Sequence, residues 1–139
     1  MTNERVREAM TPAPTTIEAG EDVVEAARLM AARDVGSLPV VDNGELVGIV
    51  TDRDLAVQVL AKDLDPHKTT VASVCSENPV VVGPDDSLDD ALQRMAKEQV
   101  RRLPVVEEHR IVGILAQADV SRAADADATG RMVEEISEG

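Results

Sequence analysis

The chain has 139 residues and a formal net charge of −13, which argues against general binding to nucleic acid or to anionic membranes, because both need a broad cationic face. It contains no Phe, Tyr or Trp, so the core must be aliphatic, and no aromatic ring can stack on a bound base. No apolar run approaches the length of a signal peptide or a membrane span, so we expect a soluble protein.

The first predicted elements are a short strand and a helix. Residues 15–17 form an extended stretch, and Asp22 with Glu25 forms a capping box that starts a helix. The apolar positions of this helix are 23, 26, 27, 30 and 31, a spacing that indicates one buried face.

A β-hairpin and a second helix follow. Two apolar runs, residues 38–41 and 46–50, are predicted strands, and the Asn-Gly pair between them is a strong signal for a hairpin turn. The second run stops abruptly at Thr-Asp-Arg-Asp, residues 51–54. A helix is predicted from about Thr51 to Lys62.

The whole pattern then occurs a second time. Residues 71–121 align with residues 6–56 without a gap, and both copies contain Leu-Pro-Val-Val followed by Val-Gly-Ile. In the copy, a capping box at Ser87 starts a helix whose apolar positions are 88, 91, 92, 95 and 96, and the second helix runs from about residue 117 to 124. The hairpin turn is Glu108-His109, a poorer choice for positive φ.

The duplication predicts an α+β fold. Each repeat reads β-α-β-β-α, and one repeat alone would expose an unpaired sheet face, so we expect two such units packed through their sheets as a pseudo-two-fold pair. The predicted segments are the first repeat, a linker, the second repeat and an acidic C-terminal tail, at residues 1–62, 63–70, 71–124 and 125–139. In the tail, Met132, Val133 and Ile136 could form one helical turn of contact.

Two segments, GSLPVVDNGELVGIVTDRD and RRLPVVEEHRIVGILAQAD, resemble a tandem pair of cystathionine-β-synthase (CBS) domains, called a Bateman module. The resemblance covers about residues 6–122 and extends to the small stand-alone hypoxic-response-type proteins of actinobacteria. It implies a regulatory sensor, not an enzyme, that binds an adenine nucleotide (AMP, ADP or ATP) between the repeats and signals to a separate, unidentified protein. S-adenosylmethionine and dinucleotides are alternative ligands, and no cofactor is required.

The family's Gly-x-x-Thr-x-x-Asp pattern, which contacts a ligand's ribose, falls on Gly48, Thr51 and Asp54. A carboxylate can accept hydrogen bonds from both hydroxyls of a cis-diol, and a threonine hydroxyl can donate one. The alternative interpretation is that Thr51 and Asp54 only cap the following helix. Both roles can coexist.

A phosphate contact is implied by a difference between the repeats. The first has Gly36-Ser37 before Leu-Pro-Val-Val, where close approach of an adenine is possible, and the second has Arg101-Arg102. The resemblance therefore implies one composite ligand site: Thr15, Thr16, Gly36, Ser37, Thr51, Asp54, Arg101 and Arg102. The alternative is that the two arginines merely offset neighbouring acids such as Glu107 and Glu108.

The second repeat predicts a weaker site. Ala116 replaces the threonine, so the cap and the hydroxyl are lost together and Asp119 remains. Val81 and Asp119 are the candidates there, although Asp119 is also typical of a first-turn helix acid.

The remaining reactive side chains indicate little further chemistry. His67 and His109 lie in a linker and a turn without metal-ligand spacing, and no metal site is predicted. Cys75 is the only cysteine, which suits the cytoplasm, and we interpret it as a small packed thiol with a redox or metal role as the alternative.

Two further expectations concern assembly. A homodimer is predicted, with Leu55, Val59 and Val120 of the second helices as contact candidates. The alternative function is a ligand-free scaffold for dimerisation or docking, which the loss of the threonine at position 116 favours.

Overall fold

A computed structural model of the chain describes residues 4–123, which form two compact units. The first-repeat unit contains Thr15–Pro79 together with His109–Ile111. The second-repeat unit contains the other described residues, up to Pro14 and from Val80 onward. The predicted acidic tail, with its apolar residues, lies outside the described residues, and so does the predicted end of the last helix at Ala124.

Short strands and helices alternate along both units. The strands are β1 (Thr11–Pro12), β2 (Ile17–Glu18), β3 (Ser37–Asp42), β4 (Glu45–Thr51), β5 (Ser76–Glu77), β6 (Arg102–Glu107) and β7 (Arg110–Ala116). The helices are α1 (Val6–Ala9), α2 (Val23–Arg33), α3 (Asp52–Leu55), α4 (Val71–Val74) and α5 (Leu88–Glu98), and residues 117–123 are also helical. In this part of the chain no helix is long and apolar enough to cross a membrane. The α+β prediction, with two repeated units, is confirmed.

The first-repeat unit is built on a sheet in the order β5-β4-β3-β2. Strands β3 and β4 form the predicted antiparallel hairpin. On one side β2 pairs with β3 in parallel, with Ile17 opposite Val40, and on the other side β5 pairs antiparallel with β4, with Glu77 opposite Gly48. The parallel strand, β2, directly precedes the helix that covers this sheet, so the crossover is short.

The second-repeat unit repeats this arrangement with β6 and β7. Strand β1 pairs antiparallel with β7, and Val82 forms a parallel bridge to Val105 where the first unit has β2. Each unit is thus completed by a segment from the other repeat. Val71 of the second repeat is fully buried in the core of the first-repeat unit, and Val6 is fully buried in the core of the other. The compact units are therefore not identical with the sequence repeats.

The capped helices begin where the sequence predicts. The Asp22 carboxylate accepts the Glu25 N–H at 3.0 Å, and the Ser87 hydroxyl accepts the Asp90 N–H at 3.1 Å. The predicted apolar face, however, is too wide. The buried positions are spaced three and four residues apart (Val23, Ala26 and Met30; Leu88, Ala91 and Met95). The other predicted positions are exposed (Ala27, Ala31, Leu92 and Ala96), because a helix lying on one sheet buries only a narrow stripe.

The predicted second helix of the first repeat is divided. An α-helical turn, Asp52–Leu55, continues as a π-helical turn, Ala56–Leu60, whose wider winding differs from the single helix predicted from sequence. Residues 63–70 contain a 3₁₀ turn, Pro66–Lys68, and Thr69 accepts a backbone hydrogen bond from Val23 at 3.0 Å. The segment predicted as a linker is thereby held against the start of α2.

Two of the residues predicted for a dimer contact are buried. Val59 and Val120 are each 2% exposed and belong to the cores of their own units. Leu55 is half-buried against the first core. The prediction of these residues as an interface is wrong for both valines, because the second helices use them to cover their own sheets.

Both hairpins use left-handed turn residues. Asn43 and Gly44 have φ of 54° and 83°, as the Asn-Gly signal predicts. Glu108 and His109 adopt the same geometry, with φ of 53° and 68°, although neither favours it as Asn and Gly do. The β6–β7 turn is therefore strained relative to its counterpart.

His109→Gly should stabilise the protein. His109 is exposed, so glycine removes the cost of its positive φ without removing buried contacts, and the expected gain in the free energy of unfolding is about 0.5–1 kcal/mol. Urea unfolding followed by far-UV circular dichroism measures it. The control is Gly44→Ala, which should destabilise the protein, since its φ is positive and its Cβ would meet the Arg110 side chain. An unchanged or lower stability for His109→Gly would show that the turn is not strained.

Candidate functional site

Thr51 and Asp54 form a reciprocal capping box at the end of β4. The Thr51 N–H donates to Asp54 Oδ2 at 2.9 Å, and the Asp54 N–H donates to Thr51 Oγ1 at 3.0 Å. These bonds satisfy backbone donors at the start of α3. The capping interpretation is therefore correct as a description of the contacts in this structure.

The capping box leaves hydrogen-bonding capacity in both side chains. Asp54 Oδ2 is used by the cap, whereas Asp54 Oδ1 has no hydrogen-bond partner within residues 4–123. Thr51 Oγ1 accepts a bond, so its own hydroxyl proton remains available to an acceptor. Both residues are half-buried, and an incoming hydroxyl could reach them. Capping and ligand binding are thus compatible.

Gly36 and Ser37 lie beside this pair. Ser37 is opposite Thr51 in the β3–β4 ladder, and the Asp52 N–H donates to the Gly36 carbonyl at 2.9 Å. A Cβ on Gly36 would lie 3.1 Å from Asp52 Oδ2, so a side chain there would crowd the start of α3. Four predicted site residues therefore meet at the same end of the first-repeat unit (Gly36, Ser37, Thr51 and Asp54).

Thr15 and Thr16 precede the parallel strand β2. Ile17 pairs with Val40, so Thr15 lies toward the start of β3, where Ser37 is. Both threonines are half-buried. Thr16 also lines an open groove of about 440 Å³ that is bordered by three glutamates (Glu18, Glu21 and Glu25) and by Arg28, which is paired with Glu25. That groove is acidic, which makes it unsuited to a phosphate.

Gly48, the glycine of the family pattern, has a packing role. A Cβ there would lie 2.6 Å from the Ser76 carbonyl oxygen and 2.9 Å from Cys75 Sγ. At its counterpart in the second repeat, Gly113, a Cβ would lie 2.5 Å from Met10 Sδ. In both repeats the glycine allows the short antiparallel strand and the residue before it to approach closely. This contact accounts for the repeated Val-Gly-Ile without any ligand.

Gly48→Ala should therefore destabilise the first-repeat unit. The added methyl group must push β5 away, and overpacking of this kind costs about 1–3 kcal/mol. Urea unfolding monitored by circular dichroism checks the value. Gly20→Ala is the matched control, because a Cβ at Gly20 meets nothing within 4 Å and should change stability little. Equal stability of both variants would contradict the packing role.

Cys75 is a half-buried thiol in this packing contact. Burial raises the pKa of Cys75, and the negative charges of Glu77 and Asp54 raise it further. The thiol is thus kept protonated, which disfavours nucleophilic or metal-binding use. Within residues 4–123 no group of three or more His, Cys, Asp or Glu side chains could hold a metal ion.

Arg101 and Arg102 occupy the equivalent place in the second-repeat unit. The Gln117 N–H donates to the Arg101 carbonyl at 2.7 Å, which matches the bond between Asp52 and Gly36. Both side chains are exposed, and neither forms an ion pair within the described residues. The alternative that they offset Glu107 and Glu108 has no direct contact to support it.

Asp119 keeps half of the capping box. Asp119 Oδ2 accepts the Ala116 N–H at 3.2 Å, and Asp119 Oδ1 is paired with the Arg122 guanidinium. The Val81 carbonyl, at the other predicted position, accepts a bond from Arg94. The second-repeat unit thus has neither the threonine hydroxyl nor a free carboxylate oxygen.

A family model decides the identity of this duplicated fold. The model described as CBS domain matches residues 6–60 and again residues 71–126. The chain belongs to the CBS-domain family. The CBS domain-containing protein YhcV of Bacillus subtilis is 41% identical over 116 residues, which cover 84% of this chain and 82% of YhcV.

Solved CBS-pair structures are similar over nearly their whole length. Hypoxic Response Protein I with two coordinated zinc ions has a TM-score of 0.79 at 36% identity, covering 86% of this chain and 98% of that one. CBSX2 from Arabidopsis thaliana in complex with AMP has a TM-score of 0.79 at 29% identity, covering 91% and 99%. The CBS pair of MJ0100, with 5-methylthioadenosine and S-adenosyl-L-methionine, has a TM-score of 0.75 at 29% identity, covering 89% and 98%. CBS-pair modules of this kind are regulatory and bind ligands.

Proposed function

We propose that the chain is a cytoplasmic sensor that binds one adenine nucleotide through Thr51 and Asp54 and signals its occupancy to a separate protein. The observation that carries the proposal is the spare capacity of the capping box. One carboxylate oxygen and one hydroxyl proton remain at a half-buried position. They match the donors and acceptors of a ribose.

The neighbouring residues fit the rest of a nucleoside. Gly36 has no side chain, so a flat base can approach its backbone on the side that Asp52 does not face. Ser37, Thr15 and Thr16 add hydroxyl groups at the same end of the sheet. Because the chain has no aromatic residue, the base would be held by aliphatic contacts and hydrogen bonds.

The phosphate is assigned to Arg101 or Arg102. Each carries an exposed guanidinium without an ion pair among the described residues, in a chain with a net charge of −13. Because neither guanidinium is paired with an acidic side chain, each is available to a phosphate, which arginine can bind in a bidentate manner. The solved complex of CBSX2 with AMP supports a monophosphate as the first ligand to test.

The proposal is tested by calorimetric titration of the protein with AMP, ADP, ATP and S-adenosylmethionine. Calorimetry suits a chain without Trp or Tyr, whose intrinsic fluorescence cannot report binding. We expect saturable binding of an adenine nucleotide with one site per chain. Tighter binding of S-adenosylmethionine would change the ligand assignment, in line with the MJ0100 structure. No binding of any of the four would favour a ligand-free interaction scaffold.

A homodimer is also proposed, through an exposed apolar surface of the first-repeat unit. This surface consists of Val57, Leu60 and Leu64, whose residue exposures are 40%, 72% and 44%. A second copy would remove these exposed apolar side chains from water. Leu60→Glu should convert a dimer into the 14.8 kDa monomer in light scattering. A parent protein that is already monomeric, or a dimeric variant, would contradict this.

A further inference from the structure

Asp54 and Asp119 occupy equivalent positions in the two repeats but have different partners. Both carboxylates accept the N–H of the residue three positions earlier through Oδ2, at 2.9 and 3.2 Å. The partners of the other carboxylate oxygen, Oδ1, differ between the two residues. Asp54 Oδ1 is free of partners within residues 4–123, whereas Asp119 Oδ1 is held by Arg122.

We infer that Arg122 closes the second repeat to ligands by occupying the carboxylate that a ribose would need, and so limits the chain to one site. The inference rests on the proposed role of Asp54. Arg122 would itself contact no ligand, but it would determine how many ligand sites the chain has. The residue at the equivalent position of the first repeat is Val57, which has no group that could donate to a carboxylate.

The pairing of Arg122 with Asp119 would compete with a ribose diol for the same carboxylate oxygen. A guanidinium donates charged N–H groups to the carboxylate, so both donor and acceptor are ionised, whereas a ribose hydroxyl would bring only a neutral donor to the same oxygen. The Asp119 side chain is 17% exposed and the Arg122 side chain 76% exposed, so a largely buried carboxylate is paired with a guanidinium that lies mostly in solvent. Arg122 Nε also donates to the Ala118 carbonyl at 3.4 Å, which orients the guanidinium.

Removing Arg122 is not sufficient by itself. Position 116 carries a methyl group where the first repeat has the Thr51 hydroxyl. The backbone at this point is equivalent in the two units, since the bond from Gln117 to Arg101 matches the bond from Asp52 to Gly36. Ala116→Thr is therefore a repeat-matched substitution, as is Arg122→Val. Together they give the second repeat the pair that the first repeat presents.

The experiment compares four full-length proteins: the parent, Ala116→Thr, Arg122→Val and the double variant. Each is titrated with AMP by calorimetry, and circular dichroism confirms that each is folded. We expect one site per chain in the parent and in both single variants, and a second, weaker site in the double variant, because Arg101 and Arg102 serve the first site. The inference is overturned if Ala116→Thr alone has two sites, because Arg122 would then not be the obstacle, or if the double variant still has one.

The outcomes also separate this inference from the proposed function. A parent with one site and a double variant with one site would remove only the role of Arg122. A parent with no site and a double variant with one would remove the proposed function and retain the role of Arg122. No binding by either protein would remove both.

Discussion

Asp54→Asn should weaken AMP binding by about 10- to 150-fold, the largest effect we expect on binding. The substitution replaces a charged acceptor by a neutral one, and a hydrogen bond to a charged group contributes about 1.5–3 kcal/mol. The asparagine amide oxygen can still accept the Thr51 N–H, so the capping box that fixes the start of α3 need not be lost. Calorimetric titration measures the change in affinity, and circular dichroism measures the change in stability.

Asp119→Asn is the matched control for this prediction. It alters the equivalent residue, which is already paired with Arg122, so AMP affinity should be unchanged. If Asp54 were only a cap, both variants would bind AMP like the parent and differ from it slightly in stability. Equal losses of affinity in both variants would show that the two repeats contribute alike, against the one-site account.

Leu38→Ala and Leu103→Ala should each lower the free energy of unfolding by about 2–5 kcal/mol. The two leucines are equivalent residues of the Leu-Pro-Val-Val segments, 1% and 0% exposed, in the cores of their respective units. Each core is aliphatic, so no large ring is available to collapse into the space left behind. Urea unfolding followed at far-UV wavelengths gives both values.

An exposed leucine provides the control for this second prediction. Leu92 lies on α5 with 40% exposure, and Leu92→Ala should change stability by less than about 1 kcal/mol. Similar losses for Leu92→Ala and Leu103→Ala would contradict the assignment of the core. A loss below about 1 kcal/mol for Leu38→Ala would contradict it for the first-repeat unit.

Local signals in the sequence predicted much of the fold. Asn43-Gly44 specified the hairpin turn, and Asp22 and Ser87 specified the starts of two helices, because each of these features depends on a few adjacent residues. The internal repeat then predicted the second unit from the first. It also showed that Glu108-His109 must form the same turn, although their residue types argue against it.

Features that depend on distant contacts were not predictable in the same way. Val6 belongs to the first repeat and Val71 to the second, and yet each is buried in the core of the unit built mainly from the other repeat. The short strands that follow them, β1 and β5, pair with β7 and β4 of that other repeat, which no local sequence signal indicates. Val59 and Val120 are apolar residues in otherwise polar helices, which led to the prediction of a dimer interface, but both are buried in the cores of their own units. Periodicity identifies an apolar face without saying which apolar layer it meets.

The same distinction applies to the candidate site. Thr51 and Asp54 are three residues apart, so their mutual contact could be predicted from sequence, whereas the choice between cap and ligand could not. Arg122 was missed as part of the site, although its spacing of three residues from Asp119 on a helix is a recognised signal for an ion pair. Whether Arg101 and Arg102 contact a phosphate stays a prediction.

A crystal structure of the protein grown with AMP tests the central claim most directly. We predict one nucleotide per chain, with a ribose hydroxyl within hydrogen-bonding distance of Asp54 Oδ1 and the Thr51 hydroxyl beside the same sugar, while Asp119 remains paired with Arg122. A nucleotide bound away from Thr51 and Asp54, or with its ribose on Asp119, would contradict the account.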